Sequence, residues 1–484
     1  MMRSKLLQML DTSDTPHLLF GVFAGLLLIC LFTGIATEMY YLVGIPAFLL
    51  LVYLTIVDFH KTFLLLLACI PLSTELVLPS GFGTDLPTEP LMIGLMLVGL
   101  AYIIRHGKEA SGQFLHHPIT LLLLLHLSWI AATAITSHLL VVSVKFLLAK
   151  IWYVATFFFL ASLMLRDERD IRQFFWAVFS TLMLTVLIIM ARHAAYGFTF
   201  ADVFRVLHPF YRNHVTYASI IVVFLPFVWF VRKWYAAYSL PWWILTGSLL
   251  LLIPAIQFTY TRAAYLSVVI AIGAYYIIRW KLTKYVLILA LAAAVGFVAF
   301  MSYGNKYLDY APNYETTVTH KNFNNLLEAT YSGEDISTME RVYRWVAGFH
   351  MSIAEPVFGF GPGNFYNFYK TYTVTSFQTY VSDNPDKSGI HSYYLMTLVE
   401  QGLPGLAFFL LLAAYTLLRG ERIYHQARRR EGQHIAMMAL LSLVIILSLL
   451  IINDLIETDK VGPFFFMNLA ILVNLDLKQQ AEGR

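Results

Sequence analysis

The stretch GIHSYYLMTLVEQGLPGLAFFLLL, residues 389–412, opens with polar residues and continues as an apolar run long enough to cross a membrane as a helix. His391 and Ser392 stand at its start, Glu400 lies inside it, and a Gly-Leu-Pro-Gly sequence interrupts it at 402–405. A histidine at a membrane boundary needs no partner. His391 therefore fits a simple interfacial position as well as it fits a functional role.

Similar apolar runs recur along the chain. Hydrophobic residues make up 59% of it and charged residues only 13%, a balance that a soluble domain could not keep off its surface. We therefore predict an all-α polytopic membrane protein with about 12–14 transmembrane helices, because only helices and closed barrels span lipid. The candidate spans are residues 18–37, 39–57, 63–78, 90–104, 118–136, 141–164, 171–190, 214–231, 242–259, 263–279, 284–303, 392–418, 435–452 and 462–475.

The basic residues predict the orientation, because Lys and Arg are enriched in loops that stay in the cytoplasm. An N-terminus inside places the ARRR run at 427–430 on the cytoplasmic side. Three parts follow: an N-terminal transmembrane bundle at 1–303, an outer loop subdomain at 304–391, and C-terminal transmembrane helices with a cytoplasmic tail at 392–484. The net charge of +4 reflects this topology and does not indicate nucleic-acid binding.

Neither a disulfide framework nor a metal site is predicted. Cys30 and Cys69 both fall within apolar spans. The histidines His208 and His214 are loosely spaced, and no acidic or cysteine residue accompanies them at a spacing typical of metal ligands.

Several arginines on the predicted outer side are not explained by the topology. Arg262 follows the ninth candidate span, with Thr259 and Thr261 beside it. A cation at this depth is costly unless it faces a polar cavity, an anionic ligand or the lipid headgroups. Arg205 and Arg212 reach the same boundary from the preceding segment.

The long outer loop contains a second pair of arginines. The sequence STMERVYRWVAGFHMSIAEP at 337–356 predicts a short amphipathic helix along the membrane surface. Arg341 and Arg344 are three residues apart on one side of it, where they could grip one anionic group together or reach lipid phosphates. The glycine-rich turn GFGPGNF at 359–365 is either a plain loop or a phosphate cradle built from backbone amides.

Taken together, these features resemble the O-antigen ligase and O-antigen polymerase superfamily. RAAYL at 262–266 is similar to the family motif of an outer arginine four residues before a leucine. His391 with Ser392, and Gly402 after nine further positions, is similar to its His-Asn/Ser/Gln motif. The order of elements also agrees over roughly residues 200–460. Ser392 stands where asparagine is commoner, and our span count exceeds the dozen or so typical of the family.

This resemblance implies a multi-pass glycosyltransferase of the bacterial inner membrane, with its active site facing the periplasm. It would move a glycan from an undecaprenyl-diphosphate carrier to lipid A core without a metal or other cofactor, inverting the anomeric centre. His391 would be the base, and Arg262 would stabilise the departing diphosphate. The further diphosphate-binding candidates are Arg205, Arg212, Arg341 and Arg344, and we favour Arg205 over Arg212.

Other functions remain open at this point. An O-antigen or exopolysaccharide polymerase would use the same donor with a growing glycan as acceptor, and a protein glycosylase would use a protein side chain. A metal-dependent oligosaccharyltransferase is a rival enzyme class. A transporter or flippase would need ionisable groups near the membrane midplane, for which Lys150 and Glu400 are candidates. Glu400 lies about 13 Å along a helix from His391, where it could pair with a buried cation.

Overall fold

A computed structural model describes residues 15–37, 42, 44–77, 83–106, 112–311, 336–379, 382–384 and 387–482. The chain divides into two compact units, and the division falls between Leu65 and Leu66. Helices make up most of the described residues, and nine of these helices are long and apolar enough to cross a membrane. Among the described residues, three shorter apolar helices precede these nine in the chain. The prediction of an all-α polytopic membrane protein is therefore confirmed.

The first unit contains the helices α1 (Thr15–Ala36) and α2 (Gly44–Val57) and the start of α3 (Phe59–Cys69). α1 and α2 pack against each other. Both are rich in leucine and other apolar residues, and many of their described side chains are exposed. Such a surface is suited to lipid, where apolar side chains need no protein partner.

The second unit begins with the end of α3 and a two-stranded antiparallel sheet, β1 (Thr74–Val77) and β2 (Gly83–Leu86). The predicted span at 63–78 is therefore wrong over Thr74–Val77, which form β1. Pro71 explains where the helix ends, because proline cannot donate the backbone hydrogen bond that would continue it.

The other helices of this unit are, in chain order, α4 (Thr88–His106), α5 (Gly112–Leu115), α6 (Pro118–Ile135), α7 (Leu140–Met164), α8 (Glu168–Ala195), α9 (Val203–Leu207), α10 (His214–Arg232), α11 (Leu240–Gln257), α12 (Arg262–Arg279), α13 (Thr283–Ser302), α14 (Ile336–Ala354), α15 (Phe365–Phe368), α16 (Tyr393–Gln426), α17 (Arg430–Leu449) and α18 (Gly462–Glu482). α10, α17 and α18 pack together in the core. Most of the apolar stretch of α10 is buried inside the protein, whereas that of α13 is not, so the surface of α13 is suited to contact with lipid.

The predicted amphipathic helix of the long loop is α14, which extends over 19 residues. Ala347 and Met351 on its apolar side are fully buried. α14 packs against α16, the helix that follows His391. This contact places the arginines of α14 in the same region of the molecule as the histidine.

α16 is interrupted within its membrane-spanning length. Gly402 has φ 69° and ψ −175°, a conformation open to glycine but strained for other residues. A Cβ atom there would lie 2.1 Å from the carbonyl oxygen of Val357, so the close approach of the chain also requires glycine. Pro404 lacks the N–H that would bridge the break. The Gly-Leu-Pro-Gly sequence thus divides α16 into two helical parts.

Candidate active site

His391 lies just before α16 and outside its hydrogen-bonded turns. Ser392 is the N-cap residue, with its side-chain oxygen facing the backbone N–H of Leu395. His391 has φ 56°, in the left-handed region that residues other than glycine seldom adopt. The backbone N–H of Tyr393 donates to the carbonyl of Leu450, 3.0 Å away. The histidine is therefore held in a strained conformation, as is frequent in functional sites.

α14 fixes the residues before His391 through three consecutive contacts. Arg344 donates from Nη1 to the carbonyl of Gly389 at 3.2 Å. Trp345 donates from Nε1 to the carbonyl of Ile390 at 3.0 Å. Gly348 leaves room for the Ile390 side chain, whose Cδ1 would lie 2.5 Å from a Cβ at position 348. One face of α14 thus determines where His391 lies.

Arg344 is buried and joins several parts of the site. Its Nη2 lies 3.3 Å from Oε2 of the buried Glu340, one turn earlier on α14. Glu340 also accepts hydrogen bonds from Ser382, at 2.7 Å, and from Thr379. Nε of Arg344 is buried and has no hydrogen-bond partner among the described residues. A positive group held this firmly, with a donor still available, is suited to binding an anion.

Burial and the positive charges around His391 both favour its neutral form. Burial contributes most, followed by the positive charges of Arg341 and Arg344, and together they lower the pKa of His391 to about 3. Asp454 lies on another side of this segment, with Oδ2 2.8 Å from where a Cβ of Gly389 would stand. Burial raises the pKa of the Asp454 carboxyl, while the Arg344 charge acts in the opposite direction. The imidazole is therefore available as a proton acceptor.

The residue before the arginine motif forms a hydrogen bond with His214. Arg262 is half-buried at the first position of α12, and Thr261 is its N-cap residue. Thr261 Oγ1 forms a hydrogen bond with Nδ1 of His214 at 3.1 Å. Arg341 is close enough to both His214 and His391 for its charge to act on each of them. Arg341 therefore lies within reach of two histidines, one at the start of α10 and one before α16.

Arg205 and Arg212, the other two candidates, have different surroundings. Both are exposed. The guanidinium of Arg205 lies 4.9 Å from the centre of the Tyr196 ring. Nε of Arg212 lies 3.7 Å from Oε2 of Glu75 on β1. A role for either arginine in diphosphate binding stays a prediction.

Two acidic residues near the site were not predicted. Asp454 and Glu457 both lie in NDLIETDK at 453–460, between α17 and α18. Glu457 forms an ion pair with the buried Lys150, which also lies 3.4 Å from the hydroxyl of Tyr393. The signal in the sequence is a group of acidic residues in a short segment between two apolar helices. No group of three or more metal-binding side chains occurs among the residues described by the structure.

The fold and the site together define a class of protein: a multi-pass α-helical membrane protein that holds a histidine beside two arginines. Residues 247–410 match the family model described as O-Antigen ligase. This match includes Arg262, α14 and His391, and it confirms the resemblance to the O-antigen ligase and polymerase superfamily. It supports a ligase- or polymerase-type glycosyltransferase activity, which implies lipid-linked glycan substrates. No curated protein was found to match the chain.

Proposed function

We propose that this protein transfers a glycan from undecaprenyl diphosphate to lipid A core at the periplasmic face of the bacterial inner membrane. The observation that carries this proposal is the geometry of His391, which α14 holds beside Arg341 and Arg344. A neutral base next to cations is the arrangement that the reaction needs. The family match over the same residues supports the general class of activity.

In the proposed reaction, His391 takes the proton of the acceptor hydroxyl as its oxygen attacks the anomeric carbon of the donor sugar. The new glycosidic bond forms while the bond from that carbon to the diphosphate oxygen breaks. The electron pair of the broken bond leaves with the diphosphate. Attack on the face opposite the leaving group inverts the anomeric centre.

The arginines would stabilise the negative charge that develops on the diphosphate. Arg344 retains a buried donor at Nε, and planar guanidinium groups suit phosphate oxygens better than a lysine does. Arg341 is close enough to His391 for its charge to act on it, and Arg262 is the further cation proposed for the diphosphate. A pKa of about 3 leaves the imidazole unprotonated but makes it a weak base, and binding of the diphosphate would offset the positive charges that lower this pKa. Donor binding should therefore make the base stronger.

A polymerase would use the same donor site with a growing glycan as acceptor, and the acceptor separates the two functions. The transporter alternative is weaker, because both charges that it would use are bonded within the protein. Lys150 pairs with Glu457, and the Glu400 carboxylate accepts hydrogen bonds from the backbone of Gly363 and Phe365.

The test uses purified protein in liposomes that contain a defined undecaprenyl-diphosphate glycan. The reaction is run first without lipid A core and then with it, and the products are identified by mass spectrometry. Product that requires lipid A core supports the ligase. Elongation of the lipid-linked glycan without it indicates a polymerase instead. If the donor remains intact in both mixtures, the proposed transfer to lipid A core is wrong. Transfer to protein acceptors and flipping of the glycan are then assayed.

The pH dependence of transfer follows from the low pKa of His391. The group is neutral above about pH 3 in the free enzyme, so we expect kcat/KM to stay level between about pH 5 and 8. A histidine with an ordinary pKa of about 6.5 would instead lose about tenfold between pH 7.5 and 5.5. Because the bound diphosphate offsets the arginines, the acid limb of kcat should lie at higher pH than that of kcat/KM. An acid limb of kcat/KM near pH 6.5 would contradict the role of a low-pKa His391 as the base.

Chelation provides an independent prediction. The proposed mechanism uses arginines where a metal-dependent oligosaccharyltransferase uses a divalent cation, so EDTA should leave the transfer rate unchanged. The measurement compares initial rates in EDTA and after Mg²⁺ or Mn²⁺ is restored in excess. Loss of activity in EDTA that either cation reverses would favour the oligosaccharyltransferase alternative.

A further inference from the structure

The loop after α14, residues 356–365, docks onto the break in α16. The backbone N–H of Phe360 donates to the carbonyl of Val399 at 3.0 Å. The N–H of Leu403 donates to the carbonyl of Pro356 at 2.8 Å. An interrupted helix leaves such groups without helical partners, and unpaired backbone groups are costly in a membrane protein. The docked loop satisfies them on both sides of the break.

Glu400 forms the polar centre of this contact. Its carboxylate is buried, with Oε2 accepting from the N–H of Gly363 at 2.8 Å and Oε1 from that of Phe365 at 3.0 Å. Its backbone carbonyl accepts from Gly361 at 3.0 Å. Glu400 therefore pairs with backbone amides and not with the cation that the sequence allowed. Of the two alternatives for the turn, the phosphate cradle is disfavoured at Gly363 and Phe365, because their amides bind this carboxylate.

The close fit of the loop depends on Gly359. Its φ is 66°, and an added Cβ would lie 2.5 Å from the carbonyl oxygen of Val399. Any side chain here would push the loop away from α16. Gly197 offers a comparison, because it has nearly the same φ, 65°, with nothing within 4 Å of an added Cβ.

This loop directly follows α14, the helix that binds the segment before His391. α14 ends at Ala354, two residues before the loop begins, and Arg344 and Trp345 bond to Gly389 and Ile390. α14 is thus held to the α16 side of the site both by its own side chains and by the loop at its end. Release of the loop would remove one of these two attachments of α14.

We propose that Glu400 is a positioning residue: by binding the amides of Gly363 and Phe365 it fixes the loop on α16 and so holds Arg341 and Arg344 beside His391. The effect on transfer rests on the proposed function, whereas the effect on geometry does not. Glu400 acts through the loop and α14 and does not touch the reacting groups.

Two pairs of variants test this inference. Glu400→Gln removes the charge and leaves one acceptor oxygen for two donors. Its control is Glu421→Gln on the same helix, where the carboxylate accepts from the N–H and hydroxyl of Thr283 at 3.2 and 2.5 Å. Gly359→Ala displaces the loop by a different means, because the added Cβ collides with the carbonyl oxygen of Val399. Its control is Gly197→Ala, which has the same backbone strain and no such collision.

The first readout requires no activity. Diethyl pyrocarbonate modifies neutral imidazole, and peptide mass spectrometry measures its reaction at His391 in substrate-free, membrane-reconstituted protein. Wild type and both controls should react about equally at pH 7.5 and 5.5. In Glu400→Gln and Gly359→Ala, His391 moves toward an ordinary pKa of about 6.5 as Arg341 and Arg344 withdraw and its burial decreases. Its reaction should then fall up to about tenfold over this range. Asp454 remains beside Gly389 in all variants.

The second readout is transfer itself, where displacement of the arginines should lower kcat by roughly tenfold to a hundredfold in Glu400→Gln and Gly359→Ala. An unchanged His391 titration in both variants would overturn the positioning role, whatever the activity. A shift of equal size in the controls would also overturn it, because the cause would then be general destabilisation. A shifted titration in a protein whose wild type transfers nothing would support the positioning role and reject the proposed reaction.

Discussion

Replacement of His391 with alanine is expected to abolish glycan transfer while the protein remains folded in the membrane. Without the imidazole, the arginines that remain beside this position, Arg341 and Arg344, are protonated and cannot accept the proton of the attacking hydroxyl. Loss of a general base typically costs about 10²–10⁴-fold in rate. The measurement is the initial rate of transfer in liposomes at saturating donor. Size-exclusion profiles and thermal unfolding of the purified variant report its folding.

His116 provides the matched control. It is an exposed histidine just after α5, with Nδ1 2.7 Å from the carbonyl oxygen of Gly112. His116→Ala should therefore change the transfer rate by less than about twofold, because surface substitutions away from such sites have small effects. If His391→Ala retains a rate within tenfold of wild type, His391 is not the base.

The helices of this protein could be predicted well from its sequence. Each candidate span contains residues of one helix, because long apolar runs in a membrane protein have few other structures available. α14 was predicted from its apolar stripe for a related reason, since a periodicity of 3.6 residues over 19 residues indicates a helix strongly. The exception at Thr74–Val77 followed a proline at the end of a short helix, where an apolar run is compatible with either structure.

The partners of the buried charges could not be predicted in the same way. Lys150 and Glu457 are 307 residues apart in the chain, and Glu400 binds amides 35 and 37 residues away. A buried carboxylate is stabilised by a cation or by backbone N–H groups, and its residue type does not show which. The choice at Glu400 follows from the break at Gly402, which brings the loop against α16. Sequence patterns that describe single helices do not contain this information.

The candidate site lies between these two cases. His391 and Arg262 were identified from short motifs, and Arg341 and Arg344 from their shared face on a predicted helix. That α14 places its arginines beside the histidine depends on Gly348, which permits close packing against Ile390. The sequence shows the glycine but not the neighbour that requires it.

Arg344→Met should lower kcat/KM for the lipid-linked donor by about a hundredfold or more, because it removes both a phosphate-binding cation and the bond to Gly389. It should also destabilise the protein, since the buried Glu340 loses its cation. Breaking a buried ion pair on one side costs about 3–5 kcal/mol. Thermal unfolding and donor titrations measure the two effects separately.

The double variant Glu340→Gln/Arg344→Met separates chemistry from folding. It removes the uncompensated carboxylate, and the neutral amide can still accept from Ser382 and Thr379, so unfolding should return toward the wild-type temperature. Transfer should stay as low as in Arg344→Met, because the cation beside His391 is still missing. The acid limb of kcat should also move to higher pH, since one of the two charges that lower the pKa of His391 is gone. Recovery of transfer together with stability would show that Arg344 serves only to neutralise Glu340, and the diphosphate would then have to be bound by Arg341 and Arg262 alone.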